Sequence, residues 1–207
     1  EIIIKMMGLG SNSRSVCTPG PKPESAKIFE GVEELGSEDS RMYRAMVARA
    51  NYLAQDRTDI RYAVEELSRR MSKPRFRDAD NLKRLARYLQ RCPRMVTTFP
   101  KQSKQKFIEG WSDSDWAGCI ETRKSTSGGL IRVGSHILKG WSTTQSVIAL
   151  SSGEAEFYAQ GKGAAYGLPL RGALSEMGPQ TTAAVDTDST AARGTSHRLG
   201  VGKVRHL

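Results

Sequence analysis

The spacing of apolar residues changes once along this 207-residue chain, near Lys106, and that change limits the fold more than any other feature. Between residues 39 and 94 the apolar side chains recur at i, i+3, i+4 and i+7, which is the period of a helix with one buried stripe. From Lys106 onward they alternate with period two, as in strands with one buried face. A helical unit followed by an α/β layer is therefore expected.

The helical part divides into three. Tyr43, Met46, Val47 and Ala50 form the first stripe, with Asp39 or Ser40 as its cap. A break at residues 55–58 precedes Asp59, and Ile60, Ala63, Val64, Leu67 and Met71 share the next face up to Pro74. Leu82, Leu85, Ala86 and Leu89 mark a third helix from about residue 77 to 90, stopped by Pro93. Upstream, Ile2 to Ile4 with Met6 and Met7 read as a strand. The Ser-, Pro- and Gly-rich residues 11–27 read as an extended linker.

Beyond Lys106, a strand runs through Trp111-Ser-Asp113-Ser-Asp115-Trp116. Ser127-Gly-Gly129 sits near a turn, Leu130, Ile131 and Val133 read as a second strand, and Gly134-Ser135 as a tight turn. His136, Ile137, Leu138 and Trp141 form a third strand. Ser151 or Ser152 caps a helix that reaches about Met177, with a bend expected from Gly161, Gly163, Gly167 and Pro169. Residues 182–186 form a fourth strand, and Ser189 starts a short helix. The order β-β-β-α-β-α argues for an α/β fold with a mixed sheet and flanking helices.

Charge adds a partner class. The net charge is +10, and residues 41–94 alone hold 15 Lys/Arg against 6 Asp/Glu. An excess concentrated in one segment suits a polyanion, because each neutralised phosphate releases a counterion. Arg69, Arg70, Lys73, Arg84 and Arg87 are the candidate contacts there. A solvated basic face is the plainer alternative. No run of about 18 apolar residues exists, so no transmembrane helix and no membrane partner are expected. Cys17, Cys92 and Cys119 are too scattered for a disulfide framework and read as reduced thiols of an intracellular protein.

The acids of the second half sit at element ends. Asp113 and Asp115 are two apart on a strand and share a face. Glu154 and Glu156 lie in the first turn of the long helix, and Asp186 and Asp188 lie at the end of the fourth strand. One carboxylate from each place can converge at one sheet edge as a hard oxygen site for Mg²⁺ or Mn²⁺. The alternative is a set of caps and turns, which the helix dipole favours in any case.

At these residues a family resemblance enters. The stretch GWSDSDWAGCIETRKSTSGGLIRVGSHILKGWSTTQSVIALSSGEAEFYA, residues 110–159, closely resembles the ribonuclease H domain of copia-type (Pseudoviridae) retrotransposon Pol polyproteins. That family carries G-[YW]-S-D-[AS]-D-W-A-G, R-[KR]-S-T-S-G, W-S-x-x-Q and S-S-x-E-A-E-[FY], and all four are present in order. Upstream, YRAMVARANYLAQDRTDIRYAVEELSRRMSKP resembles the segment that joins the reverse transcriptase to that domain. The resemblance runs from about Ser15 to the C-terminus. It implies a ribonuclease H-like mixed sheet preceded by a small helical connection segment. The implied organisation is the end of a reverse transcriptase region with a linker over residues 1–38, the connection segment over 39–94, and a ribonuclease H-like domain over 106–207.

The resemblance also implies roles. Asp113, Glu156 and Asp188 match the catalytic acids that hold two Mg²⁺ or Mn²⁺ ions. Asp115 is a supporting acid of the first motif, Asp186 competes with Asp188, and Glu154, nearly opposite Glu156 on the helix, serves as a cap or as support behind the site. The implied reaction is hydrolysis of the RNA strand of an RNA–DNA hybrid during reverse transcription, leaving a 3′-hydroxyl and a 5′-phosphate. The partners would be the hybrid and the reverse transcriptase portion of the same polyprotein, in a cytoplasmic particle or the nucleus.

Two departures and two rival readings bear on this. The wider family carries a fourth acid after a K-H-[IL]-like motif, whereas Lys203-Val-Arg205-His206-Leu207 ends the sequence at that motif. The domain is therefore expected to be C-terminally incomplete, and a catalytically inactive nucleic-acid-binding remnant is the alternative function. No Asp-Asp pair occurs, so a polymerase metal motif is not expected in this stretch. An integrase-type strand transferase ranks low, because its last acid ordinarily lies on a helix after the sheet.

Of the remaining residues, Arg123, Lys124 and Ser125 can hold a phosphate through charge and hydroxyl, or simply form a polar loop. Trp111, Trp116 and Trp141 can stack on a base, but packing is the commoner role of a strand tryptophan. His136 reads as a structural strand residue.

Overall fold

In a computed structural model, residues 1–10, 12–20 and 33–198 are described. The expected linker at 11–27 lies partly outside them, and the terminal Lys203–Leu207 motif lies wholly outside them. The chain divides into two compact units, Glu1–Thr97 and Thr98–Leu207.

The first unit is helical. Helix α1 spans Ile2–Met6, α2 Ser37–Leu53, α3 Arg61–Ser68 and α4 Phe76–Arg91, with a 3₁₀ turn at Thr58–Ile60. The expected N-terminal strand is thus a short helix, whose Ile3 joins the core beside Tyr43, Met46, Val47, Ile60, Val64, Leu67, Leu82 and Leu85. Helix α2 begins earlier than expected, with Gly36 as its cap residue. Ser40 lies inside the helix and donates instead to the Leu35 carbonyl at 3.1 Å. Helix α3 ends at Ser68, well before Pro74.

Several arginines of this unit act as internal ties. Arg57, buried, donates to both Asp59 oxygens at 2.9 and 2.7 Å and to the Cys92 carbonyl at 2.9 Å. The guanidinium of Arg57 holds the Asp59 carboxyl below its ordinary range, and Tyr88 adds a hydrogen bond of 2.8 Å. Arg61 closes the end of α2 through the carbonyls of Ala54 and Gln55. A guanidinium offers five donors in a fixed fork, so one arginine can tie several orphan carbonyls of a helix end.

The second unit is the α/β layer. Strand β1 spans Phe107–Asp115, β2 Thr126–Val133, β3 His136–Thr144 and β4 Thr182–Asp186; α5 spans Ser152–Glu176 and α6 Thr190–Ser196. The sheet order is β3-β2-β1-β4, with β4 parallel to β1 and the other pairs antiparallel. This is a mixed sheet with flanking helices, in keeping with a ribonuclease H-like fold. Ile108, Ile131 and Trp141 form its core, with Tyr166, Leu170 and Leu174 of α5 packed against them.

Glycines in β2 and in α5 share one role. Ser127-Gly-Gly129, expected near a turn, lies just past the β1–β2 loop and extends β2 toward its start, with Gly128 opposite Asp113 and Gly129 opposite Ser112. A Cβ at Gly129 would overlap the Trp141 indole and the Trp111 carbonyl. Helix α5 runs unbroken through Pro169. Its glycines serve contact with the sheet: a Cβ at Gly163 would lie 2.9 Å from a Val185 methyl. The missing side chains let helix and tryptophan approach the sheet closely.

Gly129→Ala is therefore expected to destabilise the second unit by roughly 3 kcal/mol, the upper range for overpacking a core. Urea unfolding followed by tryptophan fluorescence measures it.

Candidate metal centre

The site forms where β1, α5 and the end of β4 meet. Asp113 is near the end of β1, Glu156 is in the second turn of α5, and Asp188 follows β4 just before α6. Each of the three offers a carboxylate oxygen, and these oxygens all lie within 4.8 Å of one another. Asp113 and Asp188 are exposed and Glu156 is buried.

Local sequence explains each placement. Ser151 caps α5 by accepting the Glu154 amide at 3.2 Å, and Glu154 turns back to accept the Leu150 amide at 2.9 Å. That reciprocal cap fixes the helix start and uses Glu154 structurally, as expected. Glu156 then points at β1. Its Oε1 accepts the Ser114 amide at 3.0 Å, and its Oε2 accepts the Thr187 hydroxyl at 3.5 Å. The same Ser114 amide donates to Asp113 Oδ1 at 2.8 Å. Ser189 caps α6 by accepting the Ala192 amide at 3.1 Å, which holds the turn carrying Asp188. Gly153 lets the two helix starts touch, since a Cβ there would lie 2.8 Å from that of Ala191.

Burial pushes the Glu156 carboxyl above its ordinary range, and the charges of Asp113 and Asp188 push it further, against the opposing pull of the Ser114 amide. Crowded carboxylates of this kind favour binding either a proton or a cation. Three carboxylate oxygens brought this close form a group that could hold a metal ion.

Other candidate residues fall elsewhere. Asp115 does not join the cluster: its carboxylate accepts the Thr126 amide, and the Thr126 hydroxyl at 3.0 Å, closing the loop between β1 and β2. Asp186 also stays out. It is the last residue of β4, paired with Trp111, and the chain leaves strand geometry before Asp188. The shared facing expected of a regular strand is lost there.

Ser125 is fully buried and accepts the Ala117 amide at 2.9 Å, so its hydroxyl does not reach a phosphate. Arg123, beside it, is exposed and adopts φ +56°. In the first unit, Arg84 is bound to the Gly20 carbonyl and the Thr18 hydroxyl, and Arg69 pairs with Glu66 at 2.9 Å. Arg70 and Arg87 are half-buried, and Lys73 is exposed, 3.8 Å from Glu34.

The tryptophans divide as well. Trp141 is core, Trp111 lies under the Arg132 guanidinium at 4.4 Å, and half-exposed Trp116 donates to the Ala149 carbonyl at 3.1 Å. Two residues that hold Glu156, Ser114 and Thr187, were not singled out from sequence. Their only signal is position, since each directly adjoins an acid in the S-D-S and T-D-S triplets.

Comparison with known proteins adds relatives. The chain is 34% identical over 143 residues to the uncharacterized mitochondrial protein AtMg00810 of Arabidopsis thaliana, covering 69% of this chain and 59% of that protein. It is 33% identical over 145 residues to the retrovirus-related Pol polyprotein from transposon RE1 of Arabidopsis thaliana, covering 70% of this chain and 10% of the polyprotein. It is 39% identical over 103 residues to the secreted RxLR effector protein 161 of Plasmopara viticola, covering 50% of this chain and 72% of the effector. The chain thus spans about three-fifths of the mitochondrial relative and a tenth of the polyprotein. No family model matches, and no solved structure matches.

The carboxylate crowding predicts a pH effect. A carboxyl raised above its ordinary 4.5 supports folding below that value and loses the contribution as pH rises through the raised value. In EDTA at neutral pH, Glu156→Gln is therefore expected to raise the thermal midpoint of the second unit. The gain should vanish below about pH 4, where the wild-type carboxyl is protonated as well. Calorimetry across pH 3–8 checks both the sign and the window.

Proposed function

Because the chain belongs to the retrovirus-related Pol polyproteins of copia-type transposons, we propose that its second unit is a ribonuclease H that hydrolyses the RNA strand of RNA–DNA hybrids. The observation that carries this reading is the convergence of the Asp113, Glu156 and Asp188 oxygens within 4.8 Å, from a strand, a helix and a strand end. The order of those elements along the chain is the one the resemblance requires.

In this reading the three carboxylates hold two Mg²⁺ or Mn²⁺ ions. Bound ions would supply Lewis acidity at the scissile phosphate and lower the pKa of the attacking water. The protein's own contribution is placement. The Ser114 amide orients Asp113 and Glu156 together, and Thr187 steadies the second Glu156 oxygen. A bound cation would be held by ionised carboxylates, so its affinity would rise with pH. Arg123 and Lys124, at the loop beyond β1, contact the hybrid backbone. In the helical unit, Lys73, Arg70 and Arg87 are the candidate contacts to a nucleic-acid backbone. Selection of RNA rests on the 2′-hydroxyl and hybrid shape. The reverse transcriptase portion of the polyprotein is the protein partner, in a cytoplasmic particle or the nucleus.

The test is cleavage of an end-labelled RNA–DNA hybrid in Mg²⁺ or Mn²⁺. Cutting of the RNA strand is expected to stop in EDTA and to fall roughly 100- to 1,000-fold in Asp113→Asn, in line with a loss of several kcal/mol of transition-state stabilisation. Salt-sensitive hybrid binding without any cutting by the wild type would overturn the nuclease and leave a nucleic-acid-binding remnant.

A further inference from the structure

The W-S-x-x-Q motif ends in Gln145, and neither the carboxylate cluster nor the hybrid contacts use it. Gln145 follows β3 and is buried, 7% exposed. Its Nε2 donates two hydrogen bonds, to the Ser127 hydroxyl at 2.9 Å and to the Ala155 carbonyl at 2.8 Å. Its own amide donates to the Ser125 carbonyl at 2.8 Å, which anchors the residue to the start of β2.

The two side-chain partners are the informative part. Ser127 lies directly opposite Ser114 in the β1–β2 register, and Ser114 is the residue whose amide holds both Asp113 and Glu156. Ala155 immediately precedes Glu156 on α5. One carboxamide therefore spans from the sheet beside one half of the site to the helix backbone beside the other half. It works against the mutual repulsion of three carboxylates whose oxygens lie within 4.8 Å of one another.

The glutamine is not there for its oxygen. Gln145 Oε1 is buried and has no partner among the described residues. An unpaired buried carbonyl is unfavourable, so the donor half must supply what the position requires.

We infer that Gln145 is a positioning residue that clamps the start of α5 to β2, so that Glu156 stays within metal-binding range of Asp113. The inference rests on reading the carboxylate cluster as a divalent-cation site. It concerns where Glu156 is held, and no part of it requires the site to cut RNA.

The experiment measures Mn²⁺ binding to the full chain by electron paramagnetic resonance, without substrate, beside thermal unfolding of each protein. Gln145→Met keeps the length of the side chain and removes both donors. Ser127→Ala removes one of the two acceptors and leaves the Ala155 bond. Ile131→Val serves as a control that loosens the same sheet without touching the clamp.

Gln145→Met is expected to weaken Mn²⁺ binding roughly 10- to 100-fold, the range for losing a group that orients a metal ligand. Ser127→Ala should weaken it by a smaller factor, and Ile131→Val should lower the melting temperature with no change in Mn²⁺ affinity. Unchanged Mn²⁺ affinity in folded Gln145→Met overturns the inference, as does a loss in Ile131→Val equal to that in Gln145→Met. If Gln145→Met does not fold, Ser127→Ala decides: unchanged affinity there overturns the clamp. A wild type that binds Mn²⁺ but cuts no hybrid removes the nuclease and leaves the clamp comparison valid. A wild type that binds no Mn²⁺ overturns both.

Discussion

A single backbone amide, that of Ser114, donates to two carboxylates at once, and the site depends on it. Asp113 accepts it at 2.8 Å and Glu156 at 3.0 Å. Two anions converging on one donor is an arrangement that the rest of the unit must maintain against repulsion. The cap at Ser151 sets where α5 begins, and Gly153 lets α6 close against that start. Ser189 and Thr187 shape the turn that delivers Asp188. Hydrogen bonds to ionised groups are among the stronger ones a protein makes, which suits them to hold carboxylates this close.

The packing beneath the site follows from the same need for close approach. Helix α5 crosses a sheet whose central positions carry little bulk: Gly110 and Gly129 on the strands and Gly163 on the helix. Trp141 fills the space over Gly129, and Tyr166 packs against it with ring centroids 5.2 Å apart. Each glycine therefore marks a contact distance.

The charge of the helical unit has two origins that composition merges. Part of it is structural, as Arg57, Arg61 and Arg84 are spent on Asp59 and on carbonyls within the unit. Others, such as Lys73, are exposed. A segment net charge of +9, from 15 Lys/Arg and 6 Asp/Glu, therefore overstates what is free to meet a polyanion.

Much of the architecture was legible without coordinates. Period 3.6 before Lys106 and period two after it separate the units, and the third helix was expected at 77–90 against an observed Phe76–Arg91. The Ser151 and Ser189 caps could be read because capping depends on residues only three apart. The N-terminal apolar run forms a helix where a strand is expected, since a short apolar run fits either period, and the glycines of β2 and α5 carry no local sign that they serve close contact. At the site, motif order carried Asp113, Glu156 and Asp188. Whether Asp115 and Asp186 join them was not readable, because both share a facing with a neighbouring acid on paper. Local periodicity and capping are near-neighbour physics, and the sequence alone determined them together with the family to which the chain belongs. Which carboxylates meet, that Asp115 is spent on a loop, and that Gln145 ties Ser127 to Ala155 were decided only in the tertiary structure. Those outcomes depend on pairings between segments 10 to 42 residues apart, and no local pattern encodes such a distance.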